Sequence, residues 1–122
     1  MEVITTTPEQ LVWRDNPAID GSKIALLSGD PTQSEMVVVR IALPRFSEQM
    51  PHCHPYAEYA TVISGSVGFG LGDVFNIFIG SMYDAGSFTL MPARQRHFIW
   101  TGKEPAILQL HYIGPFQSWF ME

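Results

Sequence analysis

The chain has 122 residues, of which 46% are hydrophobic and 16% charged, and its formal net charge is −5. A chain of this length and hydrophobic content fits one folded domain with a real core and excludes a disordered protein. The negative charge, with no basic cluster, argues against nucleic acids and anionic membranes as partners. No apolar run approaches the roughly 20 residues that cross a bilayer, so no membrane span is expected.

The N-terminal sequence and the cysteine content predict the compartment. The first residues, MEVITTTPEQLVW, lack the basic start and the apolar stretch of a secretory signal. Cys53 is the only cysteine and cannot form an internal disulfide, which agrees with a reducing environment. We therefore predict a cytoplasmic protein.

The predicted elements are short and are separated by Gly and Pro turns. Residues 7–10 are expected to form one helical turn, with Thr7 as its cap and Pro8 in its first position. Runs rich in Val, Ile, Phe, Tyr and Thr predict strands. In chain order these are residues 22–27, 36–43, 52–63 with a bend at Pro55, 67–71, 74–79 (less clear), 88–91, 97–101 and 105–113. Many short strands, without an amphipathic pattern of helical length, predict an all-β sandwich or barrel.

Four residues form a candidate metal site. His52 and His54 are two apart, so in a strand both side chains point to the same face. Glu58 shares their parity, and His97 opens a later predicted strand. Three imidazoles and one carboxylate suit Fe, Mn, Ni, Co or Zn, and on an octahedral ion they would leave two open positions. The spacing alone leaves open that these are surface or core histidines without a metal.

Residues 46–65 and 86–101 resemble the two motifs of the cupin superfamily. The first motif, usually written G-x5-H-x-H-x3–4-E-x6-G, corresponds here to His52, His54, Glu58 and Gly65. The second, G-x5-P-x-G-x2-H-x3-N, corresponds to Gly86, Pro92 and His97. The resemblance implies one cupin-like domain over residues 1–122, a double-stranded β-helix barrel of jelly-roll type, with one divalent metal on the four motif residues.

Three positions depart from the cupin motifs. Phe46 and Arg94 stand where the motifs have Gly, and Thr101 stands where the second has Asn. None of them is an expected metal ligand, but Arg94 implies a different turn geometry. The wider chain resembles small single-domain cupins related to the sensor domain of an anti-sigma factor. That likeness is carried by Trp13 and by residues 27–31, 40–44 and 114–116.

Three polar residues outside the motifs are candidates for the ligand pocket. Arg40 lies within a predicted strand, where its guanidinium either grips a ligand carboxylate at the barrel mouth or points to solvent or an acidic neighbour. Gln109 and His111 share one strand face and are expected beside the metal, with His111 as general base or as a partner of a ligand. The alternative is a structural hydrogen-bonded pair. The apolar lining is expected from Val38, Val62, Ile99 and from Phe69 or Phe88.

Two functions remain open from the sequence. The first is a small metal-dependent enzyme, a dioxygenase, isomerase or lyase, acting on an oxygen-rich molecule such as a carboxylate, hydroxy acid or diketone. The second is a non-catalytic metal or ligand sensor like the anti-sigma-factor domain. An apolar tail predicts a homodimer, although it could instead pack on its own barrel. The tail consists of Phe116, Trp119, Phe120 and Met121, after Gly114 and Pro115.

Overall fold

The computed structural model describes residues 2–120, so Met121 of the apolar tail lies outside the described residues. Eleven strands and two short 3₁₀ helices cover this part of the chain. The strands are β1 Arg14–Asp15, β2 Lys23–Ser28, β3 Met36–Leu43, β4 Glu48–Cys53, β5 Glu58–Ser64, β6 Ser66–Leu71, β7 Ser81–Asp84, β8 Phe88–Met91, β9 His97–Trp100, β10 Ala106–Ile113 and β11 Trp119–Phe120. The 3₁₀ helices are Pro8–Gln10 and Ile77–Ile79. Within residues 2–120 we find no helix with the length and apolar character needed to cross a membrane.

The strands form two antiparallel sheets. The six-stranded sheet has the order β1-β2-β3-β10-β5-β8, and the five-stranded sheet has the order β11-β4-β9-β6-β7. The all-β prediction is confirmed, and the sheets pack against each other without closing into a continuous barrel. Consecutive strands often lie in different sheets, so residues far apart in the sequence meet between the two layers.

The sequence predicted no strand at β1, β7 or β11, and its other strands differ from the structure mainly where proline or a short helix intervenes. The strands predicted at 36–43 and 88–91 have the observed bounds. The stretch predicted at 52–63 is two strands, because the chain leaves the ladder around Pro55, which has no backbone donor. The segment 74–79 contains a 3₁₀ helix instead of a strand. Its start is capped by the Asn76 side chain, which accepts from the Phe78 backbone N–H at 3.0 Å.

The core lies between the sheets and follows strand alternation. In β3, Val37, Val39, Ile41 and Leu43 are buried, and the residues between them are half-buried on the opposite face. In β10 the same alternation buries Leu108, Leu110 and Tyr112. Because side chains alternate between the faces of a sheet, the inner and outer faces of these strands are unambiguous.

Two glycines of β6 make room for aromatic rings on the neighbouring strand β9. Gly68 is opposite Trp100 and Gly70 is opposite Phe98 in the ladder. A Cβ atom on either glycine would overlap the ring across from it. Both rings are buried, Phe98 completely. The alternate glycines therefore seat two rings on the outer face of the five-stranded sheet and hold β9 against β6.

The two motif positions that lack glycine keep the backbone that glycine would adopt. Phe46 has φ of 54° and Arg94 has φ of 64°, and they are the only described non-glycine residues with positive φ. The left-handed region costs an L-residue roughly 1–2 kcal/mol. The expectation of a different turn geometry at Arg94 is therefore wrong, since the left-handed turn persists in spite of the side chain.

Candidate metal centre

Three buried histidines meet between the two sheets. His52 near the end of β4 is the direct ladder partner of His97 at the start of β9, and His54 follows β4 by one residue. Their ring centroids are 4.2 Å apart for His52 and His97, 5.0 Å for His52 and His54, and 5.4 Å for His54 and His97. Each offers a ring nitrogen within 4.8 Å of the nitrogens of the other two. The structure thus brings together the three histidines that the sequence singled out.

Backbone carbonyls fix the tautomer of all three rings. The Nδ1 of His52 lies 2.8 Å from the Met50 carbonyl oxygen. The Nδ1 of His54 lies 2.8 Å from the Gln117 oxygen, and that of His97 lies 2.9 Å from the Gln95 oxygen. A carbonyl oxygen only accepts, so each Nδ1 carries the proton and donates it. In the neutral ring each Nε2 therefore keeps its lone pair. Ligating histidines typically donate their other ring nitrogen in this way.

Burial keeps two of the imidazoles neutral. Desolvation, assisted by the nearby His97 and His54, lowers the pKa of His52 to about 3. Desolvation likewise lowers the pKa of His97 to about 4. Metal binding requires neutral imidazole, so neither ring needs to lose a proton near neutral pH.

Glu58 adds a buried carboxyl group at one side of the cluster. Its Oε2 lies 3.4 Å from the Nε2 of His54, and the residue is 7% exposed at the start of β5. Burial raises the pKa of Glu58, and the neighbouring His54 opposes that shift. The carboxyl group has few ways to be satisfied in an apolar interior without a cation or a proton.

The loop that carries His54 is held by contacts from three directions. The Arg94 backbone N–H donates to the His54 carbonyl at 2.7 Å, which connects the two cupin-like motifs. Tyr56 stacks on the His54 ring with centroids 5.1 Å apart. Ser118 places its hydroxyl 3.1 Å from Nδ1 of His54. These contacts fix the orientation of a ring that lies outside a regular strand.

The donor set fits a borderline divalent ion. Three imidazole nitrogens with free lone pairs converge beside a carboxyl group, and nitrogen with oxygen donors suits Fe, Mn, Ni, Co or Zn. A cation in the adjoining space would satisfy these lone pairs and the carboxyl group together. The chemistry of the residues thus agrees with a bound cation.

A small cavity of about 30 Å³ adjoins the cluster. Sequence reasoning missed most of the residues that line it, among them three that bring an amide or an aromatic ring. Asn16 and Gln49 contribute amides, and Phe116 contributes a ring from the C-terminal segment. Gln49 lies three residues before His52, but a register irregularity between them hides its parity in the sequence. Phe69 and Ile99 line the cavity as predicted.

The other pocket predictions need correction. Arg40, Gln109 and His111 lie on the outer face of the six-stranded sheet, because their inward-facing neighbours are Val39, Ile41, Leu108 and Leu110. The Arg40 Nε donates to Gln109 Oε1 at 2.8 Å, and Gln109 Nε2 lies 3.1 Å from His111 Nε2. These side chains form a hydrogen-bonded row on the sheet surface, which agrees with the alternative expectation of a structural hydrogen-bonded pair. Val38 and Phe88 also lie on outer faces, whereas Val62 is buried without lining the cavity.

The apolar tail packs on its own sheet. Trp119 pairs with Cys53 and Phe120 pairs with His52, so β11 extends the five-stranded sheet along β4. The Phe120 ring lies 5.3 Å from the ring of His52, and the Phe116 ring lies 6.2 Å from that of His54. The tail therefore covers the histidine cluster. This agrees with the alternative expectation, in which the tail packs on its own domain instead of forming a dimer contact.

Comparisons with known proteins place the chain in a family. No curated protein matches it. The structure is similar to the polyketide cyclase RemF from Streptomyces resistomycificus, with a TM-score of 0.77 and 15% identity over 97% of this chain and 84% of that one. KdgF from Halomonas sp. is similar with a TM-score of 0.72 and 13% identity, over 95% of this chain and 96% of that one. An uncharacterized conserved protein with a double-stranded β-helix domain from Klebsiella pneumoniae has a TM-score of 0.72 and 22% identity, over 99% of both chains.

Such identities establish the fold alone, and the fold is that of the cupins. The family profile described as "Domain of unknown function (DUF4437)" matches residues 2–119. The chain therefore belongs to the DUF4437 family, a cupin-type domain.

Proposed function

We propose that this protein is a metal-dependent cupin in which His52, His54, Glu58 and His97 hold one divalent ion, with Fe, Mn, Ni, Co or Zn as candidates. The observation that carries the proposal is the shared tautomer of the three rings. Each Nδ1 is bound to a backbone carbonyl, which leaves three Nε2 lone pairs directed into one buried space. A bound ion would supply Lewis acidity toward an oxygen of a small-molecule ligand.

The protein's own groups orient the ligand and limit proton transfer. Asn16 and Gln49 in the cavity wall donate and accept hydrogen bonds but do not take up a proton near neutral pH. Glu58 is the lining group with a titratable carboxyl, and burial already raises its pKa. In a reaction that requires proton uptake, the Glu58 carboxylate would accept the proton when Glu58 does not bind the metal.

The preferred activity is that of a small enzyme of the dioxygenase, isomerase or lyase class acting on an oxygen-rich molecule. A polyketide cyclase and an oxalate oxidase share the fold, which supports a catalytic use of such a pocket. The second candidate is a metal or ligand sensor like the anti-sigma-factor domain. The absence of His111 from the cavity favours this second candidate, because Glu58 is then the one acidic side chain among the described lining residues and is itself proposed as a metal ligand.

Metal content tests the proposal. The chelator-treated protein should take up about one ion per chain when incubated separately with Fe(II), Mn(II), Co(II), Ni(II) and Zn(II). Elemental analysis of His54→Ala and His97→Ala should show that most of this metal is lost, while His111→Ala should retain it as the matched control. Equal metal content in all four proteins would refute the site.

Turnover separates the enzyme from the sensor. The loaded protein is incubated with hydroxy acids and diketones, with and without dioxygen, and products are followed by mass spectrometry. Metal-dependent product that disappears in His54→Ala supports the enzyme. Tight binding of the same compounds without product supports the sensor.

We also propose a cytoplasmic homodimer, formed through the outer face of the six-stranded sheet. Tyr59, Ile63, Phe88 and Leu90 expose large apolar side chains there, between 38% and 60% accessible. The Tyr59 and Phe88 rings lie 6.3 Å apart and belong to one patch. Contiguous exposed apolar patches typically mark protein contacts. Light scattering should give a dimer mass for the wild type and a monomer mass for Phe88→Glu, and a monomeric wild type at micromolar concentration would contradict the proposal.

A further inference from the structure

The space beside the histidine cluster is too small for an organic ligand. A cavity needs roughly 10–15 Å³ to hold one water molecule, so about 30 Å³ beside the cluster has room for one or two ligand atoms. The body of any ligand bound at the proposed metal must therefore lie elsewhere. This reasoning rests on the proposed function, because it places the ligand at the metal centre.

A second cavity of about 530 Å³ adjoins the first. Pockets that take drug-sized ligands typically measure about 300–1,000 Å³. The two cavities share five wall residues: Asn16, Ala18, Ile24, Val39 and Phe116. We call this second cavity the apolar chamber. It lies under the inner face of β2 and β3, between the segment that contains β1 and the segment that ends in Phe116.

The apolar chamber offers few polar groups. Among residues 2–120, the one charged side chain in its lining is that of Arg14, which is exposed. Asn16 adds an amide and Tyr112 adds a phenol, while the other lining side chains are aliphatic, proline or phenylalanine. A sugar or a polyol would lose hydrogen bonds to water on entering such a chamber, at a cost that these groups do not offset. An apolar ring system would gain from the same burial.

We propose that the apolar chamber binds the hydrophobic body of the ligand, and that the ligand class is an amphipathic molecule with an oxygen-donor head and a ring-bearing apolar body. The head enters the small cavity at the histidines, and the body stays against Ile24, Leu26 and Phe116. Small polar chelators without such a body bind weakly. The chamber thus determines specificity, whereas the histidine cluster determines only the head group.

Two hydroxamic acids with the same head test this inference. Acetohydroxamic acid and benzohydroxamic acid are titrated by calorimetry into the Zn(II)-loaded protein. The phenyl group adds apolar surface worth roughly 25 cal/mol per Å² on burial, so benzohydroxamic acid should bind about ten-fold tighter or more. Equal affinities of the two acids would overturn the chamber assignment and leave the metal site intact.

Two variants locate the selectivity in the chamber. Ala18→Trp adds bulk at the wall that the two cavities share. Leu26→Gln places an amide in the chamber at a position that is about half exposed. Leu26 does not line the small cavity, so Leu26→Gln should reduce the ratio of the two affinities to about three-fold or less, with metal content and acetohydroxamate affinity unchanged. An unchanged ratio in both variants would overturn the inference. If neither acid binds the loaded wild type, the proposed function itself fails, and the inference fails with it.

Discussion

The molecule contains two polar groups of residues that carry histidine, and their hydrogen bonding differs. The inner cluster of His52, His54 and His97 uses its Nδ1 atoms on backbone carbonyls and leaves the Nε2 atoms facing one another. The outer row of Arg40, Gln109 and His111 is linked by side-chain hydrogen bonds on a partly exposed face. Acceptors that face one another between the sheets can be satisfied together by a cation, whereas solvent reaches the outer row.

Histidine therefore occurs in two different settings in this protein, a candidate binding site and a structural hydrogen-bonded row. Burial distinguishes them as well, since the inner histidines are 1–5% exposed and the outer row is half-buried. The histidine count cannot separate a binding site from a structural pair. What separates them is where the remaining ring nitrogens lie: in the inner cluster they face one another between the sheets, whereas His111 stands on a partly exposed outer face.

The largest expected effect is on stabilisation by metal. A ligand at about 1,000 times its Kd stabilises the folded state by about 4 kcal/mol. Chemical denaturation of the wild type with and without Zn(II) should show an increment of this order. In His97→Ala the increment should vanish, and in His111→Ala it should persist. Loss of the increment in His111→Ala would mean that the contrast between the two groups is mistaken.

The next effect is the pH dependence of the metal-free protein. Folding lowers the pKa of His52 to about 3 and that of His97 to about 4, from an ordinary value of 6.5. Between these values the unfolded chain binds more protons, so the free energy of unfolding falls as the pH is lowered from 6.5 toward 4. Each imidazole contributes about 1 kcal/mol per pH unit. Glu58, whose pKa burial raises above 4.5, acts in the opposite direction at pH values above 4.5.

Denaturation at several pH values checks this expectation. His97→Gln removes one of the two titrating rings and should flatten the curve, while Gln109→Leu should leave its slope as in the wild type. A steeper curve in His97→Gln would contradict the assignment of the slope to the inner cluster.

The smallest effect concerns the outer row alone. Gln109→Leu removes the acceptor of the Arg40 Nε donor and should cost about 1 kcal/mol of unfolding free energy, since net hydrogen bonds are of this size. The Kd for metal should stay within about two-fold of the wild type, a change of about 0.4 kcal/mol, because Gln109 does not line the cavity at the histidines. A marked loss of metal affinity in Gln109→Leu would connect the two groups and break the comparison.

Sequence reasoning reached the inner cluster but misplaced the outer row. The spacing of His52 and His54, with the motif likeness, located the cluster because strand parity and short-range pattern are local properties. Arg40, Gln109 and His111 also share one parity, but parity does not say which face of β3 and β10 is the inner one. The buried Val39 and Leu110 settle that, whereas the sequence alone does not, because the outer faces of both strands also carry apolar residues such as Val38 and Ile107.

Long-range contacts account for the remaining misses. The pairing of β11 with β4 joins residues far apart in sequence, so an apolar tail could equally be a dimer contact or a cover for the site. Arg94 shows the converse case, in which the structure keeps a glycine-like turn although the residue has changed. Its backbone N–H still donates to His54, and the value of that contact offsets local strain.

The two rings seated on Gly68 and Gly70 have a consequence for the opposite face of the sheet. Phe98 and Trp100 alternate along β9 with His97 and Ile99, which point inward. With both rings fitted into spaces where no Cβ exists, β9 has little freedom to roll about its own axis. The direction of the His97 imidazole is consequently fixed by packing on the outside of the molecule, and a cation would meet donors that are aligned before it arrives.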